Sequence, residues 1–119
     1  MTKILLVDDE KDIVELLKAK LEKNNYEVLV AYDGKVGFAK ARNENPDLII
    51  LDLTLPEMDG YWVCHLLKND KRYHKIPVII LTAKAEEENI ELAEKCGADE
   101  YIIKPFEFDK LLLKIEELI

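Results

Sequence analysis

Pro46-Asp47-Leu48-Ile49-Ile50-Leu51-Asp52 sets four large aliphatic residues in a row between a turn proline and a carboxylate. The run is too short for a globular helix and shows no polar alternation, which suits a strand covered on both faces. The same pattern recurs on either side of it. Lys3-Ile4-Leu5-Leu6-Val7, Glu27 to Tyr32 with Val28 and Val30, Pro77-Val78-Ile79-Ile80-Leu81 and Tyr101-Ile102-Ile103 all read as strands. Strands with two buried faces belong to parallel sheets flanked by helices.

The intervening segments carry the helical period. Ile13, Leu16, Leu17 and Leu21 share one predicted face, and a second helix enters at Asp33-Gly34 and runs through Val36, Phe38, Ala39 and Ala41. A third, from about Tyr61 to Asn69, carries Trp62, Val63, Leu66 and Leu67. The fourth spans Glu86 to Lys95 and stops at Gly97. The last places Phe108, Leu111, Leu112, Ile115 and Ile119 on one stripe. Five strand–helix units with right-handed crossovers make an α/β fold.

Composition narrows the function classes. The 119 residues carry 17 basic and 25 acidic side chains, a net charge of −8. That balance repels phosphate backbones and argues against direct nucleic-acid binding. No apolar run approaches the ~20 residues of a membrane helix, and the first strand begins at once without a signal peptide, so a cytoplasmic domain over 1–119 is expected, with nothing appended. Cys64 and Cys96 lack zinc or redox-motif spacing and are expected to be free, buried thiols.

In open parallel sheets, ligands bind beyond the carboxyl ends of the strands. Those ends carry Asp8 and Asp9, Asp52, Thr82 and Lys104. With strand order 2-1-3-4-5 they converge on one crevice. Three clustered carboxylates raise each other's pKa unless a cation joins them, and a hard divalent ion such as Mg²⁺ suits oxygen ligands. Lys104 adds a point charge and Thr82 a hydroxyl. A carboxylate attacking phosphorus gives an acyl phosphate, so the set is suited to phosphoryl transfer onto Asp52. Taken singly, the acidic run would serve a helix N-terminus and Thr82 a cap, but all four groups fall at one sheet edge.

Four stretches resemble the CheY-like receiver family: Ile4-Leu5-Leu6-Val7-Asp8-Asp9-Glu10, Leu51-Asp52-Leu53-Thr54-Leu55-Pro56-Glu57-Met58-Asp59-Gly60, Pro77 to Ala83, and Gly97-Ala98-Asp99-Glu100-Tyr101-Ile102-Ile103-Lys104-Pro105-Phe106. The likeness spans the chain in order and spacing. It implies a flavodoxin-like doubly wound (βα)5 domain with a parallel sheet of order 2-1-3-4-5. It also implies a response regulator receiver that takes a phosphoryl group from a sensor histidine kinase onto Asp52. Mg²⁺ would be held by Asp8, Asp9, Asp52 and the Thr54 backbone carbonyl. Thr82, Ala83 and Lys104 would contact the phosphoryl group, Tyr101 would be the aromatic switch, and the Lys104–Pro105 peptide would be cis. Such a domain assists its own phosphorylation and dephosphorylation and is not otherwise an enzyme. Thr54 and Lys84 occupy variable positions that tune phosphoryl lifetime.

Alternatives fit less well. A haloacid-dehalogenase-like phosphatase needs a second Asp two places after the nucleophile, where this chain has Thr54. A flavin binder needs a Ser/Thr/Gly-rich loop where this chain has Asp8-Asp9-Glu10. A pseudo-receiver, acting only as an interaction module, would not require the full acidic, Thr and Lys set. His65 and His74 fall away from the crevice, Trp62 is expected to pack at a helix start, and Glu86-Glu87-Glu88 complements a helix dipole. The output surface, for a protein partner or a second copy, is expected on the fourth helix, fifth strand and fifth helix. There Leu113 and Leu92 lie off their core stripes and flank Tyr101.

Overall fold

In the computed structural model, which describes residues 1–83 and 87–119, the elements alternate strictly. They are β1 Lys3–Val7, α1 Lys11–Lys23, β2 Glu27–Ala31, α2 Gly34–Asn43, β3 Leu48–Asp52, α3 Gly60–Lys68, β4 Val78–Thr82, α4 Glu87–Lys95, β5 Glu100–Ile103 and α5 Phe108–Leu118. Lys84 and Glu86, and the side chains of Glu87 and Glu88, lie outside the described residues. The sheet is parallel with order β2-β1-β3-β4-β5, as expected.

Alternation along each strand splits the interior into two cores. Leu5, Val7, Ile49, Leu51, Val78 and Ile80 face α2, α3 and α4. Ile4, Leu6, Leu48, Ile50, Ile79, Leu81 and Ile102 face Val14, Leu17 and Leu21 of α1 and Leu111 and Ile115 of α5. The ladder continues one residue beyond the strands, since Asp8 N–H donates to the Ala31 carbonyl and Lys104 N–H to the Thr82 carbonyl, at 3.1 and 2.7 Å.

Local signals set the ends. The Asp33 side chain accepts the Val36 N–H at 2.8 Å and caps α2. Gly97, at φ +89°, adopts the left-handed conformation that closes α4.

Four burial expectations are corrected. The buried arc of α1 is Val14, Leu17 and Leu21, which turns Leu16 outward at 57% exposure. At the end of α5, Ile119 follows the last helical turn and is exposed, while Leu118 packs in its place. Trp62 is exposed and meets Tyr61 and His65 edge-on along the outside of α3. Leu92 is half-buried against the core, so of the two leucines expected on the output face only Leu113 is exposed. Among the described residues, no helix is long and apolar enough to cross a membrane.

Candidate functional site

The sheet carries Asp8, Asp52, Thr82 and Lys104 to its carboxyl edge, because each strand there hands its apolar run directly to a polar residue. Asp8 has no exposed surface. Its Oδ1 accepts the Glu10 N–H at 2.9 Å and its Oδ2 accepts the Lys104 ammonium at 2.8 Å. Asp52 is also buried, its Oδ1 accepting the Thr54 N–H at 3.3 Å and its Oδ2 accepting Lys104 at 3.2 Å. The same ammonium reaches Glu10 Oε1 at 3.2 Å. One lysine therefore bridges three carboxylates.

Burial and charge compete at this point. Burial raises the Asp52 carboxyl, Lys104 pulls it down and the neighbouring charge of Asp8 raises it again, which leaves it pushed up to about 6. Burial alone would lower the Lys104 ammonium, but its hydrogen bond to Asp8 and the charges of Asp52 and Asp8 outweigh that, holding its pKa above the ordinary lysine value. Both partners are shifted upward, Asp52 chiefly by burial and Lys104 by the carboxylates around it.

The loop after Asp52 is built tightly against it. A Cβ on Gly60 would stand 1.9 Å from the Asp52 carbonyl oxygen, so only glycine lets α3 start there. A Cβ on Gly34 would stand 1.6 Å from the Met58 carbonyl oxygen, fixing the same loop from the side of α2. Glu57 takes a left-handed φ of 69° between them.

The expected residues are distributed as follows. Asp8, Asp52 and Lys104 are in direct contact, and Thr82 is buried at the adjoining strand end. Asp9, Thr54, Ala83 and Pro105 are exposed on the rim, and the Lys104–Pro105 peptide is cis. Tyr101 is half-buried against the α2–α4 core. Among the described residues, carboxylate oxygens of Asp8, Glu10 and Asp52 lie within 4.8 Å of one another, with Asp9 on the rim beside them. The acidic run contained the signal for Glu10. Its helix-start position concealed that its backbone N–H bonds to Asp8 and that its exposed side chain reaches Lys104. Three clustered carboxylates of this kind are a donor set for a hard cation.

A groove of about 420 Å³ adjoins the site. Ile13, Leu16, Leu17, Phe106 and Phe108 give it an apolar wall, and Glu10, Ala83 and Lys104 close the end nearest Asp52.

Comparison with known proteins agrees with this arrangement. The sequence profile of the response regulator receiver domain matches residues 4–116. The chain is 40% identical over 119 residues, all of its length and 53% of the relative's, to the response regulator ArlR of Staphylococcus saprophyticus. It is 48% identical over 104 residues, 87% of its length and 42% of the relative's, to the alkaline phosphatase synthesis transcriptional regulatory protein PhoP of Bacillus subtilis. It thus spans about half the length of these curated relatives. The response regulator TrrA of Thermotoga maritima, solved in complex with Mg²⁺-BeF, superposes with a TM-score of 0.88 at 36% identity and full coverage of both chains. The order of the strands, the acidic crevice with its bridging lysine and these matches have one reading: the chain belongs to the receiver domain family of two-component response regulators.

Proposed function

We propose that Asp52 is the phosphoacceptor and that Lys104, Thr82 and a Mg²⁺ ion complete its site. The observation that supports this most directly is the Lys104 ammonium held between the buried carboxylates of Asp8 and Asp52, at 2.8 and 3.2 Å. An Asp52 oxygen attacks phosphorus as the P–N bond of a donor phosphohistidine breaks, and the imidazole leaves with the bonding pair. Lys104 and the Thr82 hydroxyl then stabilise the equatorial phosphoryl oxygens, with Ala83 at the rim. Asp8, Asp9, Asp52 and the Thr54 carbonyl are the proposed metal ligands. Bound there, Mg²⁺ supplies positive charge against the carboxylates and the incoming phosphoryl group.

The donor is a sensor histidine kinase. The apolar groove between α1 and Phe106–Phe108 opens onto the same Lys104, so a partner seated there would bring its histidine to Asp52. The output surface is the face of α4, β5 and α5, where Leu113 is exposed near half-buried Tyr101, and its occupant is a protein partner or a second copy. The domain is a cytoplasmic phosphoacceptor switch.

The test is incubation with acetyl phosphate and Mg²⁺, read by intact mass. One added phosphoryl group is expected, absent in Asp52→Asn and with excess chelator. Equal labelling of the Asn variant overturns the assignment.

A further inference from the structure

Cys64 and Cys96 lie far apart in sequence and take no part in the acidic crevice, yet they meet between α3 and the end of α4. The Cys64 thiol donates to the Cys96 carbonyl at 3.4 Å, and the Cys96 thiol donates to the Ala93 carbonyl at 3.1 Å. Both are free and buried in the α2–α4 core. The two helices approach closely here: one turn beyond Cys64, the Cβ of Lys68 stands 3.2 Å from where a Cβ on Gly97 would lie. We propose that Cys64 and Cys96 form a reversible disulfide that clamps α4 to α3 under oxidation by a hydroperoxide.

The surroundings give the two sulfurs different roles. The neighbouring thiol pushes Cys64 up and Cys96 down, burial also raises Cys64, and the Lys68 ammonium favours the thiolate of either. Cys96 is therefore the attacking sulfur and Cys64 the resolving one. The Cys96 thiolate attacks the terminal peroxide oxygen and the O–O bond breaks. The sulfur becomes a sulfenic acid, and the other oxygen leaves as an alcohol or water. Cys64 sulfur then attacks the sulfenic sulfur, the S–S bond forms, and hydroxide departs with the Cys64 proton as water. The two sulfurs lose two electrons and the peroxide gains them. Because both thiols are buried, a small peroxide has better access than a bulky disulfide. In a reducing compartment such a bond is transient, as expected of a sensor.

The bond would link two helices with different neighbours. α3 begins against the Asp52 carbonyl, and α4 follows the strand that ends at Thr82. Oxidation would fix the separation between the middle of α3 and the C-terminal end of α4.

The experiment treats the full chain with hydrogen peroxide, alkylates it under denaturing conditions and maps tryptic peptides by mass. The expected product is a monomer lacking two hydrogens and refusing alkylation. In it, the peptide containing Cys64 is joined to the one containing Cys96, and dithiothreitol restores both. The link should vanish in Cys64→Ser and in Cys96→Ser. The bridged protein should also keep one cooperative thermal transition at or above that of the reduced form. Two thiols that remain alkylatable, oxidation that stops at a sulfinic acid, a link found only between chains, or a lowered and broadened transition would each overturn the proposal.

Discussion

Lys104 places its ammonium 2.8 Å from a carboxylate oxygen of Asp8, a side chain with no contact with solvent. A charge so enclosed depends on its partner, and the same ammonium also serves Asp52 and Glu10. Replacing it by a neutral chain of similar length leaves clustered carboxylates without a counter-charge. Lys104→Met is expected to lower stability by about 3 kcal/mol without metal, read from the urea midpoint. It should also move the Asp52 titration above 6. A variant as stable as the parent would show that the lysine does not neutralise the crevice.

Asp52 gives the opposite sign. Its carboxyl titrates at about 6 in the fold against an ordinary 3.8, so the folded state favours the protonated form. Its ionisation therefore costs nothing below 3.8, costs progressively more as pH rises to about 6, and costs the full amount above that. Metal-free Asp52→Asn should be more stable than the parent by about 1–2 kcal/mol at neutral pH, with the advantage gone near pH 4. Chemical denaturation across that range checks it, and an Asn variant that melts lower at neutral pH contradicts it.

Magnesium relieves the same repulsion. A ligand that binds only the folded state at a hundredfold excess over its dissociation constant adds ~2.7 kcal/mol. The thermal midpoint should rise with Mg²⁺ and fall back with chelator, and the rise should shrink in Asp52→Asn. Equal rises in both proteins would place the ion elsewhere.

The groove beside Lys104 separates two kinds of donor. Leu16 is exposed, so Leu16→Glu should change stability by less than about 0.5 kcal/mol. It should slow transfer from a cognate kinase about tenfold, which is about 1.4 kcal/mol of lost contact, and leave labelling by acetyl phosphate unchanged. If both donors slow equally, the effect belongs to the crevice and not to docking.

On the output face the exposed leucine is Leu113, at 59%. Phosphorylation-dependent association, followed by light scattering or by capture of the cognate partner, should weaken in Leu113→Glu. A variant that accepts phosphate and associates normally places the output on another surface.

The fold was legible because buried parallel strands announce themselves. Leu48 to Leu51 and Val78 to Leu81 have no polar residue, and a pattern that short and dense has few alternatives. Helix faces were read less well. Leu16 fits a helical stripe as readily as Val14, and only the packing of α1 against Leu6 and Ile50 decides between them. The crevice could be assembled from strand ends alone, as Asp8, Asp52 and Lys104 show. Which other residue of the acidic run reaches Lys104 was not legible, because the bond from Glu10 N–H to Asp8 is a detail of backbone geometry that composition does not encode. The meeting of Cys64 and Cys96 was equally hidden, since no local spacing connects α3 to the end of α4.

The two-residue alternation that fills the sheet also protects it from misassembly. Leu6, Ile50 and Ile102 belong to the α1–α5 core, and two positions further along the same rows come Asp8, Asp52 and Lys104. A strand that slipped by one residue would still present aliphatic side chains to both cores but would turn a charged group toward the opposite core, away from its counter-ion. Purely apolar strands such as these could slide on one another at modest cost, because one isoleucine substitutes tolerably for the next. The charges at their tips remove that tolerance. The crevice thus acts as a proofreading mark for strand alignment, and neutralising Asp8 or Lys104 should leave a chain more prone to misregistered, aggregating forms even where the native state survives.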